Sequence, residues 1–217
     1  MLRRPMWRDI LPRLPGLILG VILFGLGIAL MAEAGLGLGP WEAFHQGLGR
    51  LTGQEIGTIS VLLGIPILLL WWPLGERPGI GTLLNVVLIG TATNVGIAVL
   101  PSAAGLGAQL AMMLAGLLMI GLGSGLYLAA DLGPGPRDGL MTGLHHRFGW
   151  SIRRARTLVE VTVLALGWLL GGSIGIGTVA FAFGIGPLVQ FSLGVFDRTG
   201  RLERRATDLD AAPGAAE

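Results

Sequence analysis

The sequence predicts an all-α membrane protein. Six transmembrane helices form two inverted three-helix repeats, each holding a short Gly-Pro-initiated helix that is interfacial or re-entrant. Three observations carry this reading. First, hydrophobic residues make up 52% of the chain and charged residues 13%, about half the charged share of a soluble domain. Several apolar runs approach or exceed the ~20 residues that cross a bilayer as helix. Second, the chain repeats itself. A constant offset of 96 carries Gly39-Pro40 onto Gly135-Pro136, Glu42 onto Asp138, Gly25-Leu26-Gly27 onto Gly121-Leu122-Gly123, and Gly79–Thr82 onto Gly175–Thr178. A gapless offset marks an internal duplication. Third, arginines gather on alternating connections, as they do on the cytoplasmic side of membrane proteins.

In chain order, Arg3, Arg4, Arg8 and Arg13 precede the first span, Leu14–Ala34. A basic segment before an apolar run also fits a secretory signal. The matching run in mid-chain, Leu114 to Ala130, argues against cleavage. Gly35–Gly53 is too polar and too interrupted to span. Pro40 suits a helix start, having no N–H to leave unbonded, so Trp41–Leu51 is expected as a short helix stopped at Gly53. Ile56–Leu74 is the second span, with a kink expected at Pro66 and Trp71-Trp72 near its end. Ile80–Leu100 is the third. The second copy follows with Gln109–Ala130, the Gly-Pro segment Asp131–Gly149, Ile152–Leu170 and Ile176–Phe196. The divisions expected are a basic N-terminus at 1–13, repeats at 14–102 and 109–196, and a disordered tail at 197–217.

An odd number of spans per copy obliges the second copy to enter the membrane from the opposite side. Arg77, the cluster Arg137, Arg147, Arg153, Arg154 and Arg156, and the tail arginines fall on one face with the N-terminus. The other face carries Arg50. The expected location is therefore a bacterial cytoplasmic (inner) membrane, multi-pass, with both termini cytoplasmic.

The stretch GLGLGPWEAFHQGL (Gly35–Leu48), the EIGTISVLLG start of the second span (Glu55–Gly64) and GIGT (Gly79–Thr82) resemble the YczE/YyaS/YitT-like group of bacterial integral membrane proteins. The resemblance covers nearly all of the chain except the tail. It implies a multi-pass inner-membrane protein and brings neither a catalytic residue nor a substrate. The second copy departs from the first, with Arg137 at the position of Trp41, Met141 at that of His45, and Arg153-Arg154 at that of Gly57-Thr58.

Inverted repeats interrupted by Gly-Pro at matching positions point to a secondary-transporter site. Helix starts at Pro40 and Pro136 present free N–H groups suited to an anion, or they brace the bundle. Glu42 and Asp138 complement the helix dipoles, or they form a pair that binds a cation or proton. Glu160, inside the fifth span, is a candidate coupling charge, or an ion pair with Arg156 one turn earlier. Asn94 and Gln190, matching polar groups, hydrogen-bond between helices or touch substrate. His45 is a candidate proton relay, since an unperturbed imidazole titrates near neutrality, though Met141 stands at its matching position. The candidate substrate-binding or coupling residues are thus Gly39, Pro40, Glu42, His45, Asn94, Gly135, Pro136, Asp138, Glu160 and Gln190. Cysteine is absent and the three histidines lack metal-ligand spacing. No metal, cofactor, catalytic residue or nucleic-acid partner is expected, and the chain is not read as an enzyme. The expected partners are the lipid bilayer and an unidentified small solute. Glycines four apart, such as Gly16/Gly20 and Gly139/Gly143, permit tight packing within the bundle or a homo-oligomer. The function these residues suggest is secondary transport or export. The alternative is a non-transporting scaffold or accessory subunit of a membrane-associated complex.

Overall fold

A computed structural model describes residues 10–197. The basic N-terminus and the tail, as read from sequence, lie almost wholly outside the described residues. The described chain is helical, with α1 Leu14–Ala34, α2 Pro40–Thr52, α3 Ile56–Leu74, α4 Ile80–Val99, α5 Leu106–Ala129, α6 Pro136–Phe148, α7 Ile152–Leu169 and α8 Ile176–Phe196. A single 3₁₀ turn, Leu11–Arg13, leads into α1. Among the described residues there is no strand.

Among the described residues five helices are long and apolar enough to cross a membrane: α1 extended by its leading turn, α3, α4, α5 and α8. Here the expected six spans meet a difference. α7 has the expected bounds, but Arg153, Arg154, Arg156 and Glu160 occupy its first half. Such charges in a membrane core are costly, so its apolar part is too short to count as a span by composition. The spanning helices turn apolar side chains outward: Trp72, Phe183 and Phe191 are among the most exposed residues of the molecule. Their buried faces carry glycines and small polar groups, including Gly25, Gly27, Thr93 and Ser124. That is the pattern of helices packed in lipid, where small residues let backbones approach.

α1 and α5 cross at the centre and run antiparallel. Gly20 faces Gly123 and Gly27 faces Gly116, so contacts descend along α5 as they rise along α1. A Cβ at Gly27 would lie 2.7 Å from the Gly116 carbonyl oxygen. α4 packs on α1, and α8 on α5. α2 packs on α7, and α6 on α3. Each short helix is therefore held mainly by a helix from the other half of the chain.

The same exchange appears in single bonds. Gly81 N–H donates to the Leu132 carbonyl at 2.9 Å, and Gly177 N–H donates to the Leu36 carbonyl at 2.8 Å. The two bonds are related by the offset of 96. Arg50, on α2, donates to the Gly171 carbonyl after α7. Its counterpart on α6, His146, meets Glu76 Oε1 after α3 at 3.0 Å. α2 and α6 both stop at a left-handed glycine, Gly53 at φ 70° and Gly149 at φ 67°, where a side chain would be strained.

One pair breaks this correspondence. α3 packs along α4, while α7 makes no comparable contact with α8. At the α3–α4 contact Gly57 and Gly90 approach backbone to backbone. Asn94 closes it, accepting from Gly57 N–H at 2.8 Å and donating to Thr58 Oγ1 at 2.9 Å. In the other half Arg153 and Arg154 stand at the positions of Gly57 and Thr58. Their bulk excludes the same approach.

The crossing predicts a clear contrast. Gly27→Leu overpacks a backbone-to-backbone contact, a change that costs about 1–3 kcal/mol or more. It should lower the melting temperature of the detergent-solubilised protein by roughly 5 °C. Gly16→Leu, which meets open space, should leave it unchanged. Thermal denaturation followed by size-exclusion chromatography measures both.

Candidate functional site

The starts of α2 and α6 meet inside the bundle. Pro40 and Pro136 each occupy the first helical turn after an extended Gly39 or Gly135. Between them lies a cavity of about 260 Å³, near the lower end of the range for small-molecule sites. Pro40, Glu42, His45, Gly135, Pro136, Asp138, Glu160 and Gln190 all line it. The sequence had singled out each of them. Gly39 and Asn94 are not in the lining. Gly39 is the N-cap beneath Glu42, and Asn94 belongs to the α3–α4 contact.

Charged groups sit in pairs around the cavity. Glu42, 2% exposed, accepts from Arg137 Nη1 through Oε1 at 2.6 Å. This ion pair joins the first turns of the two short helices across the duplication. The Arg137 guanidinium also lies over the Trp41 ring, 5.1 Å from its centroid. Trp41 and Arg137 are themselves equivalent positions in the two copies. Asp138 is held differently, by the Tyr127 hydroxyl, which donates to Oδ2 at 2.7 Å. Glu160 accepts from Arg156 Nε at 2.9 Å, the intrahelical pairing weighed from the sequence, and still faces the cavity. His45 is buried beside Trp41, with ring centroids 6.2 Å apart, and its counterpart Met141 is buried in the same wall.

Two fully buried side-chain polar atoms in this region have no hydrogen-bond partner. They are Glu42 Oε2 and Trp41 Nε1, both buried and on consecutive residues. Glu42 Oε2 folds back over Gly39, where a Cβ would lie 2.6 Å from it and 3.0 Å from the Phe181 ring. The equivalent place in the other half is polar, with Asn85, Tyr127 and Asp138 around Gly135. Asn85 and Phe181 are equivalent positions. The two half-sites therefore share a backbone and differ in chemistry.

Tyr127, Arg137 and Trp41 carry much of this geometry and were not among the site residues read from sequence. Tyr127 is the only tyrosine in the chain, and its counterpart Met31 cannot hydrogen-bond a carboxylate in that way. That departure was the available signal. Other ionisable residues at helix ends lie at connections. Glu33 accepts from Ser102 Oγ at 2.5 Å. Asp131 sits in the turn before α6 at φ 49°. Among the described residues no group of three His, Cys, Asp or Glu is placed to hold a metal ion.

The cavity is lopsided. Along α8 it extends to Gly186, Val189 and Gln190. Of their counterparts on α4, Gly90 and Asn94 are taken up by the α3–α4 contact. Thr93 is instead buried against α1, donating to the Gly25 carbonyl at 3.2 Å.

Similar proteins share this length of chain. An uncharacterized protein of Haemophilus influenzae is 41% identical over 84% of this chain and 84% of its own. The uncharacterized membrane protein YczE of Bacillus subtilis is 36% identical over 80% of this chain and 82% of its own. The uncharacterized protein YyaS of the same organism is 28% identical over 83% of this chain and 92% of its own. No solved structure matches. The match to the family described as a family of unknown function (DUF6198) runs from residue 11 to residue 193, and the chain belongs to that family.

Proposed function

We propose that this is a multi-pass protein of a bacterial cytoplasmic membrane, with both termini cytoplasmic, that transports or exports a small solute by alternating access. In this reading six helices form two inverted three-helix repeats, and the short helices α2 and α6 carry the central site. The observation that carries the proposal is the central cavity, closed where Gly57 meets Gly90 and Asn94 between α3 and α4 and extended at the equivalent place along α8 to Gln190. A central polar site with one half zipped and the equivalent half parted is what an alternating-access protein needs in one of its states.

Several features support the parts of this reading. Corresponding helices α1 and α5 run antiparallel, as inverted topology requires. The Gly81–Leu132 and Gly177–Leu36 bonds are related by the duplication. The parted end carries Arg153, Arg154 and Arg156, so by the positive-inside rule the state described faces the cytoplasm. Pro66 in α3 and Pro187 in α8 interrupt backbone bonding next to cavity residues, and such breaks let a helix bend. A scaffold needs neither a lined cavity nor a parted half, though it remains the reading to which failure of the following experiments would lead.

The absence of cysteine makes accessibility direct to measure. An impermeant thiol reagent applied from the cytoplasmic face should label Gln190→Cys readily and leave Asn94→Cys protected. Equal labelling of both from that face would sink the one-sided opening. A second experiment tests whether the two ends are coupled. Asn94→Leu removes two hydrogen bonds that hold α3 to α4, each a contribution of about 1 kcal/mol. The population should shift toward the state open at that end. Labelling of Gln190→Cys should then slow by roughly tenfold. Unchanged labelling would mean the two ends open independently, and alternating access would fall.

A further inference from the structure

We propose that the cavity binds a small organic ammonium with an apolar body and a neutral hydrogen-bond acceptor beside the charge, and that Glu42 is its counter-ion. The inference deepens the transport reading by naming the solute class and rests on the same cavity.

The argument begins with what the site leaves undone. Of the carboxylates in the wall, Asp138 takes the Tyr127 hydroxyl and Glu160 takes Arg156. Glu42 takes Arg137 on Oε1 alone. Its second oxygen, Oε2, is buried without a donor, and Nε1 of the preceding residue, Trp41, is buried without an acceptor. An unmet buried acceptor on a charged group is strongly unfavourable. A ligand that satisfies both atoms must donate to Oε2 and accept from Nε1. An ammonium with a neighbouring hydroxyl, ether or carbonyl does so. A carboxylate ligand would set a second negative charge against Oε2.

Charge and shape agree. Glu42, Asp138 and Glu160 face Arg137 and Arg156, so the formal balance of the wall is one negative charge. The amide ends of α2 and α6 make these carboxylates less costly, yet no N–H reaches Oε2. Beside Oε2 stands the Phe181 ring, and Phe24 and Ile185 continue the apolar wall. Aromatic faces attract cations. The site already holds one cation in this manner, since Arg137 is both paired to Glu42 and stacked on Trp41. The ligand's ammonium takes the remaining oxygen of the same carboxylate, which no protein donor reaches.

Equilibrium binding to the purified full-length protein in detergent tests the inference without any transport assay. The probes are phenylalaninol, 3-phenylpropan-1-ol and 3-phenylpropanoate, alike in their apolar body and differing in charge. Phenylalaninol should bind at least about tenfold more tightly than either of the others, the worth of a charge-assisted hydrogen bond. Glu42→Gln should remove that preference. Arg137→Gln, which takes away a competing positive charge, should preserve or strengthen phenylalaninol binding. Tighter binding of 3-phenylpropanoate, lost in Arg137→Gln, would overturn the proposal in favour of an anion site. Equal binding of all three probes, or no saturable binding of phenylalaninol to the folded wild-type protein, would also overturn it. The wild-type series decides the matter even where a variant fails to fold. Because thiol accessibility does not depend on these probes, failure of the ammonium assignment leaves the transport reading standing, and the reverse holds equally.

Discussion

Backbone that is not helical cannot be left unbonded where water is scarce, and this constraint organises the molecule. The extended stretches that lead into α2 and α6 are such backbone. Each is met by the start of a helix from the other half of the chain, through Gly177 N–H on Leu36 and Gly81 N–H on Leu132. At these contacts the partner glycine has no room for a side chain: a Cβ at Gly81 would lie 2.9 Å from the Leu132 carbonyl oxygen. Once these bonds are made, the short helices must project into the centre of the bundle. Their first turns then face one another, and the cavity is the space between them. The crossing of α1 and α5 supplies the rigid floor, because its glycines bring the two backbones together with little slack.

A duplicated scaffold becomes a site by losing its symmetry in a few places. Where the first copy has Gly57 and Thr58, the second has Arg153 and Arg154, and the helix pair that is zipped in one half is parted in the other. Where the first has Met31 and Asn85, the second has Tyr127 and Phe181, and because the halves exchange contacts one carboxylate sits among hydrogen-bonding groups and its counterpart beside a phenyl ring. None of these changes disturbs the exchange of backbone bonds. The architecture and the chemistry therefore draw on different residues, glycines for the first and a handful of substituted side chains for the second.

This division also explains what could be read from the sequence. The element starts Pro40/Pro136, Ile56/Ile152 and Ile80/Ile176 keep the offset of 96, because glycine, proline and apolar run length are local signals. Most of the residues singled out from sequence line the cavity for a related reason: Gly-Pro marks a helix start, and first-turn carboxylates follow by position. The pairings were not legible. Arg137 reaches Glu42 from 95 residues away in sequence, and Tyr127 reaches Asp138 from a different helix. No periodicity encodes such meetings. Asn94 shows the converse. Its polar character in an apolar run was visible, but whether it turned to the cavity or to Gly57 depended on how closely α3 approaches α4. The shortfall in α7 has a simpler cause. Its bounds follow from the duplication, whereas its membrane span would have needed apolar residues where the second copy has arginines.

The centre of the site joins these themes in one contact. Trp41 and Arg137 hold equivalent positions in the two copies, one residue after the initiating prolines. Because the first turns face each other, these equivalents touch, and the guanidinium lies on the indole face. Two tryptophans there would leave Glu42 without a cation, and two arginines would repel. The unlike pair is the combination that both stacks and supplies Glu42 with its partner. It also leaves one carboxylate oxygen and the indole N–H unused. The asymmetry that stabilises the contact is thus the same asymmetry that leaves a buried donor and a buried acceptor without partners.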